Sequence, residues 1–250
     1  MTNIETQVKY ANEAEGKLHL GDGYFCHECR NKGLVYFARE NELVARLCKC
    51  RPIRKSLKMI EESGLSSLLE KKTFDNYFDT EEWQKNTKNA CLRFVEQSEN
   101  RCLYIGGQCG SGKTHLCTAM CKAYLDKGKE TRYFVWPKEI KVLKAMTNES
   151  GYLEYLNQFL SAEVLYIDDF FKQREGTEPT AADVHIAFEI FNTRMHDPQK
   201  ITIISSELTY GKAVRIDQGT LSRVAEMAGP YILCIEEDKR KNYRMRSSMA

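Results

Sequence analysis

The chain has 250 residues, 42% of them hydrophobic and 29% charged, with 15 Gly and 5 Pro. That composition supports one sizeable core, or a medium domain with a small companion, and excludes a disordered chain or a large multidomain enzyme. The 37 basic and 35 acidic residues leave a formal net charge of +2, so attraction to nucleic acid has to come from local patches.

No run approaches the ~18 apolar residues of a membrane span, and the first residues lack the apolar run of a signal peptide. A cytoplasmic chain with no membrane partner is expected. Ten cysteines are many for a reducing compartment, so clustered ones point to metal ligation or reactive thiols.

The first cluster is Cys26-His27-Glu28-Cys29, followed after eighteen residues by Cys48-Lys49-Cys50. Gly33 to Arg39 and Glu42 to Leu47 read as a hairpin turning at Glu40-Asn41. Paired thiolates at this spacing suit a tetrahedral Zn²⁺ site, and four of them leave no open position for catalysis. Cys26, Cys29, Cys48 and Cys50 are therefore expected to form a structural zinc ribbon, with three cysteines plus His27 as the alternative ligand set. Chelation of the metal is expected to unfold this module and spare the rest of the chain.

Between Arg46 and Lys58 lie six basic residues (Arg46, Lys49, Arg51, Arg54, Lys55, Lys58) and no acid. A helix is predicted from Arg51 to Ser63: Pro52 suits its first turn, Ile53, Leu57 and Ile60 share a face, and Gly64 suits its stop. The cysteines and charge divide the chain near residue 73. Residues 1–72 are expected to form a zinc-binding module with a basic helix, and 73–250 a second, larger domain.

Beyond residue 100, apolar runs alternate with helical patterns. CLYIGG precedes a helix from Lys113, TRYFVW a helix opening at Pro137, and EVLYID a helix through Val184 to Met195; KITIIS and YILCIE come after them. This is an α/β pattern, a parallel sheet covered on both faces, with ligands at the carboxyl ends of its strands.

Gly107-Gln108-Cys109-Gly110-Ser111-Gly112-Lys113-Thr114 fits the P-loop pattern G-x-x-x-x-G-K-[ST], after a predicted strand and at the start of a predicted helix. Its backbone amides would cradle phosphates, with Gly110 and Gly112 keeping side chains clear, Lys113 reaching the β and γ phosphates and Thr114 holding Mg²⁺. The strand Glu163 to Ile167 ends in Asp168-Asp169, which assigns Asp168 to the metal and Asp169 to the attacking water of an ATPase. The cysteines outside the first cluster show no ligand spacing and are expected to be mostly small core residues.

In this order, CHECRNKG, the basic helix, TFDNY (Thr73 to Tyr77), GGQCGSGKTH, LYIDDFF, TIISSEL, LSRVAEM and NYR make the chain resemble the bacterial and phage replicative-helicase loaders of the DnaC/DnaI type. The resemblance covers about Gly23 to Arg244 and implies an AAA+ ATPase with a three-layer αβα core and no C-terminal helical lid. It also implies ATP with Mg²⁺, a replicative DNA helicase and single-stranded DNA as partners, and a homo-oligomer in the ATP-bound state.

By the same resemblance Phe74 and Tyr77 lie against adenine, and His115 belongs to the nucleotide-binding loop. Arg223 matches the arginine finger that reaches a neighbouring subunit's nucleotide. The polar sensor falls on Ser206 or Glu207, and Arg244 matches a terminal Tyr-Arg of unassigned role. Two basic surfaces, Arg46 to Lys58 and Lys138, Lys141 and Lys144, are candidates for DNA. Competing readings are a transposition-helper ATPase, which usually lacks a front zinc ribbon, a small-molecule kinase, and a zinc adaptor whose nucleotide is only structural.

Overall fold

The computed structural model describes residues 3–62, 66–97, 99–147, 149–174 and 176–246. The helix stop expected at Ser63-Gly64 lies outside them. The N-terminal part contains α1 (Asn3–Glu13), α2 (His19–Asp22) and the antiparallel hairpin β1 (Leu34–Arg39) and β2 (Glu42–Leu47). Glu40 and Asn41 both have positive φ, as a two-residue hairpin turn that matches the strand twist requires. The basic helix α3 (Cys50–Glu62) starts at the last cysteine of the cluster. After it come α4 (Ser66–Lys71) and α5 (Glu82–Gln97).

The larger part alternates β3 (Cys102–Gly107), α6 (Lys113–Asp126), β4 (Thr131–Val135), α7 (Trp136–Ala145), α8 (Tyr152–Leu160), β5 (Val164–Asp168), α9 (Ala181–Met195) and β6 (Ile201–Ser206). It continues through α10 (Tyr210–Ile216), α11 (Gln218–Ala228), β7 (Ile232–Ile235) and the short α12 (Tyr243–Arg246). β3 to β7 form a parallel sheet in the order β4-β5-β6-β3-β7.

Successive side chains of a strand point to opposite faces, and here each face meets its own helical layer. Cys102 and Tyr104 pack with residues of α7, α8, α9 and α11. Leu103 and Ile105 pack with α5 and α6, and also with Ile53 of α3 and Leu69 of α4. Helix starts are set by local chemistry: Thr180 and Asp183 form a reciprocal capping box for α9, and Asp217 accepts from the Gly219 and Thr220 amides at α11.

α3 also covers the outer edge of β4. Ser56 Oγ accepts the Thr131 amide at 3.2 Å and lies 3.4 Å from Arg132 Nη1. An edge strand left with free amides invites foreign pairing; here a helix continuous with the cysteine cluster occupies part of that position.

Candidate nucleotide and metal sites

The P-loop joins β3 to α6 at the carboxyl end of the sheet, between β6 and β7. Gly110 and Gly112 have φ of 72° and 91°, where L side chains are strained. A Cβ on Gly110 would run into Asn242 Oδ1, and one on Gly112 would sit 2.8 Å from Tyr77 Cε2. The glycines are thus required by the packing of the chain against its own loop, in addition to the approach of a ligand.

Lys113 is buried, and its ammonium donates to the carbonyls of Gly107 at 2.8 Å and Gln108 at 2.6 Å. Burial pushes its pKa down, against the pull of Cys109, Glu207 and Asp169, so an incoming anion would relieve a desolvated cation.

Thr114 Oγ1 lies 3.4 Å from Asp168 Oδ1. These are hard oxygen donors of the kind Mg²⁺ selects, from the two elements expected to supply them. Asp168 is itself held: Tyr133 OH donates to Oδ2 at 2.6 Å, while Tyr166 OH at 2.7 Å, the Ser205 hydroxyl and the Asp169 amide at 3.1 Å donate to Oδ1.

On β6, Ser205 is the residue that faces Asp168, next to the Ser206 and Glu207 named from the sequence. Ser206 turns to the Phe170 carbonyl at 2.8 Å, and Glu207 pairs with Lys172 at 2.9 Å and accepts from Cys109 Sγ at 3.4 Å. Asp169 has φ of 56° and pairs with Lys172 at 3.1 Å. Burial, and then Asp168, push its carboxyl above the usual range, with Lys172 opposing.

The TFDNY segment closes one side of the loop. His115 Nε2 lies 2.8 Å from the Thr73 carbonyl and 3.0 Å from Asn76 Oδ1, so its ring anchors that segment to α6. Phe74 is half-buried against the α6 side of the core. Tyr77 is 5% exposed, its ring is edge-on to His115 at 5.3 Å, and its hydroxyl has no hydrogen-bond partner among the described residues.

The far side is laced by the C-terminal stretch. Asp238 N–H donates to Gln108 Oε1 at 2.8 Å, and Tyr243 N–H to the Gly110 carbonyl at 3.0 Å. Sequence reasoning missed Lys72, which is half-buried. Burial lowers its pKa while Asp168 pulls the other way and Arg244 adds to the lowering. Its ammonium has no hydrogen-bond or ion-pair partner among the described residues. Only its place next to Thr73 could have signalled it.

Arg223 donates to Asn192 Oδ1 at 3.1 Å and to the Gly219 carbonyl at 2.8 Å, with its guanidinium 4.4 Å from the centroid of the Phe188 ring. These partners belong to α9 and α11, and none belongs to its own P-loop.

In the N-terminal cluster all four thiols are buried, with their Sγ atoms within 4.8 Å of one another. Cys26 and Cys48 are 3.7 Å apart and Cys29 and Cys50 3.5 Å. Four thiolates about 2.3 Å from zinc lie roughly 3.8 Å from each other, so the cluster fits that ion. Burial pushes the Cys29 thiol up, but the Gly33 amide at 3.2 Å and the neighbouring thiols bring it down to about 7, while Cys48 and Cys50 rise. Such a set is relieved by a shared cation.

His27 is exposed and packs on Phe25 at 5.0 Å, outside the cluster, which removes the ligand set containing it. Of the other cysteines, Cys91, Cys102, Cys117 and Cys121 are buried, whereas Cys109 is half-buried and Cys234 exposed.

The basic surfaces are partly consumed by structure. Arg46 pairs with Glu28 at 2.6 Å, Arg54 with Asp22 and Asn31, and Arg51 Nε donates to the Gly33 carbonyl. Lys144 pairs with Asp183 at 2.9 Å and Lys138 with Glu139 at 3.5 Å. Lys49, Lys55, Lys58 and Lys141 remain exposed. No helix among the described residues is long and apolar enough to cross a membrane.

With this geometry in place, the family described as IstB-like ATP binding protein matches residues 26–216. The chain belongs to that family. This IstB-like chain is 30% identical over 227 residues to the phage-like element PBSX protein XkdC of Bacillus subtilis (strain 168), covering 85% of this chain and 83% of the relative. It is 27% identical over 126 residues to the replicative helicase loader DnaC of Escherichia coli (strain K12), 49% of this chain and about half (51%) of DnaC. The crystal structure of the DnaC helicase loader superposes with a TM-score of 0.57 at 23% identity, over 68% of this chain and 98% of that one. The fold is the AAA+-like α/β fold of that loader, carried by an ATP-binding P-loop family.

Proposed function

We propose that this protein is an ATP-driven loader that places a hexameric replicative helicase on DNA, with single-stranded DNA as a ligand and a homo-oligomer as its ATP-bound form. Residues 73–250 act as the ATPase domain, and residues 1–72 as the zinc-bearing handle for the helicase.

In this reading the amides of residues 107–114 bind the phosphates, and Lys113 leaves its two carbonyls for the β and γ oxygens. Thr114 and Asp168 hold Mg²⁺, which when bound neutralises charge developing on the phosphoryl oxygens. Asp169 orients the attacking water once Lys172 yields it. Phe74 and Tyr77 face adenine, with His115 fixing their segment. Arg223 serves a neighbouring subunit's nucleotide, which is compatible with its contacts to α9 and α11 and none to its own P-loop. Cys26, Cys29, Cys48 and Cys50 hold a structural zinc ion.

The observation that carries the reading is the approach of Thr114 to Asp168 beside a buried Lys113. Support for the helicase comes from the loader relatives. A second reading, a transposition helper, is favoured by the description of the family itself.

The test is affinity purification with ATP from a host carrying both a replicative helicase and an IS21-type transposase. Helicase retained by the wild type and lost with Lys113→Ala is the expected result. Retention of the transposase alone would favour the second reading, and unchanged nucleotide binding by Lys113→Ala would remove the site assignment.

A further inference from the structure

The Asp168 carboxylate carries more hydrogen bonds than a metal-side residue needs. Its Oδ1 accepts from Tyr166, Ser205 and the Asp169 amide, and lies within reach of Thr114, which fills the approach to that oxygen. Among the described residues its Oδ2 has one partner, the Tyr133 hydroxyl. Oδ2 is therefore the oxygen with lone-pair capacity to spare.

The two phenols come from adjacent strands. Tyr133 of β4 pairs in register with Tyr166 of β5, and their rings are 5.1 Å apart. Tyr166 is fully buried and Tyr133 half-buried. One tyrosine donates to each carboxylate oxygen, and together with Ser205 and the Asp169 amide on Oδ1 they restrict the rotation of the group about its Cβ–Cγ bond. Losing a group that orients a metal ligand typically weakens metal binding about 10- to 100-fold.

Resting on the ATP-site reading above, we propose that Tyr133 and Tyr166 are positioning residues that hold the Asp168 carboxylate in the orientation in which it would bind the divalent cation. The pair gives this site its metal affinity without touching nucleotide. Phosphate binding by the loop amides and Lys113 is independent of it. The effect of losing either hydroxyl should thus fall on the metal and spare the metal-free nucleotide.

The experiment uses the full chain and the variants Tyr133→Phe and Tyr166→Phe, each of which removes one oxygen and keeps the ring. Mn²⁺ is titrated into the protein with a non-hydrolysable ATP analogue and free metal is tracked by electron paramagnetic resonance. The affinity for the analogue in EDTA and the melting temperature are measured in parallel. A rise of about 10-fold or more in the Mn²⁺ dissociation constant, with metal-free affinity held within about twofold, supports the proposal.

An unchanged Mn²⁺ constant in both variants overturns it. So does an equal loss of metal-free affinity, which would mark a general packing role. Should Tyr166→Phe fail to fold, Tyr133→Phe at its half-buried position decides alone. A wild-type protein that takes up no analogue at all overturns the ATP-site reading itself, and this inference with it.

Discussion

Tyr77→Phe separates the stability of the free protein from its affinity for nucleotide. The Tyr77 hydroxyl is buried beside Gly112 with no partner among the described residues, and burial pushes its pKa up, so at neutral pH it remains a proton donor. A buried polar group left unsatisfied costs about 1–3 kcal/mol. Deleting the oxygen alone should therefore stabilise the free protein by up to that amount. In a chain of this size each kcal/mol is worth roughly 2–4 °C in melting temperature.

If ATP supplies the missing partner, the variant forfeits a hydrogen bond of about 0.5–1.5 kcal/mol, a loss of roughly 2- to 13-fold in affinity. Thermal melts with and without a non-hydrolysable analogue, together with calorimetric titration, read both quantities. The expected pattern is a higher melting temperature without ligand and a smaller ligand-induced shift. A variant that melts lower and binds equally well would refute the reasoning, because the hydroxyl would then have had a partner inside the free protein.

Arg223→Ala should leave analogue binding by monomers unchanged and lower assembly-dependent hydrolysis by about 10³-fold or more; equal loss of both would show a structural role through Phe188 and Asn192. Removing zinc, or Cys29→Ser, should unfold the cysteine cluster and, against the expectation from sequence that the rest of the chain is spared, lower the melting temperature of the P-loop part. The reason is that α3 runs from Cys50 into the core through Ile53, a side chain worth about 1.5–3 kcal/mol when buried. Calorimetry that finds the transition of the P-loop part unmoved would show that α3 holds its place without the metal. Asp183→Asn should cost stability at neutral pH. Burial raises the Asp183 carboxyl, but Lys144 and the Thr180 hydrogen bonds outweigh it, so the folded pKa lies below the usual carboxylate value. A depressed folded pKa means that the unfolded state binds more protons as pH falls from about 4, so this contribution is complete above that pH and fades through the folded pKa. Denaturation curves of the two proteins should stay evenly separated above about pH 5 and converge below about pH 4. A constant gap at all pH values would exclude the ion pair as its source.

The phosphate loop, the hairpin and the five core strands were legible because each is set by local chemistry: glycines where φ is positive, a turn at Glu40-Asn41, and short apolar runs. α5 was not, since its sequence EWQKNTKNACLRFVEQ is polar over most of its length and its buried stripe of Cys91, Phe94 and Val95 shows only once α6 is present. The same limit hid the environment of Asp168. Tyr133, Tyr166 and Ser205 reach it from three strands, and the register that aligns them is a property of the sheet. Strand β6 illustrates this most directly: with a side-chain period of two, Ser206 meets the Phe170 carbonyl while Ser205 meets the Asp168 carboxylate.

The lacing of Asp238, Asn242 and Tyr243 over the P-loop has a bearing on biosynthesis. A ribosome finishes the loop at residue 114 more than a hundred codons before it makes the residues that close it. Fragments released early would carry the complete signature of the family and lack the buttress that gives the loop its shape. Only a polypeptide translated through Tyr243 would assemble that buttress.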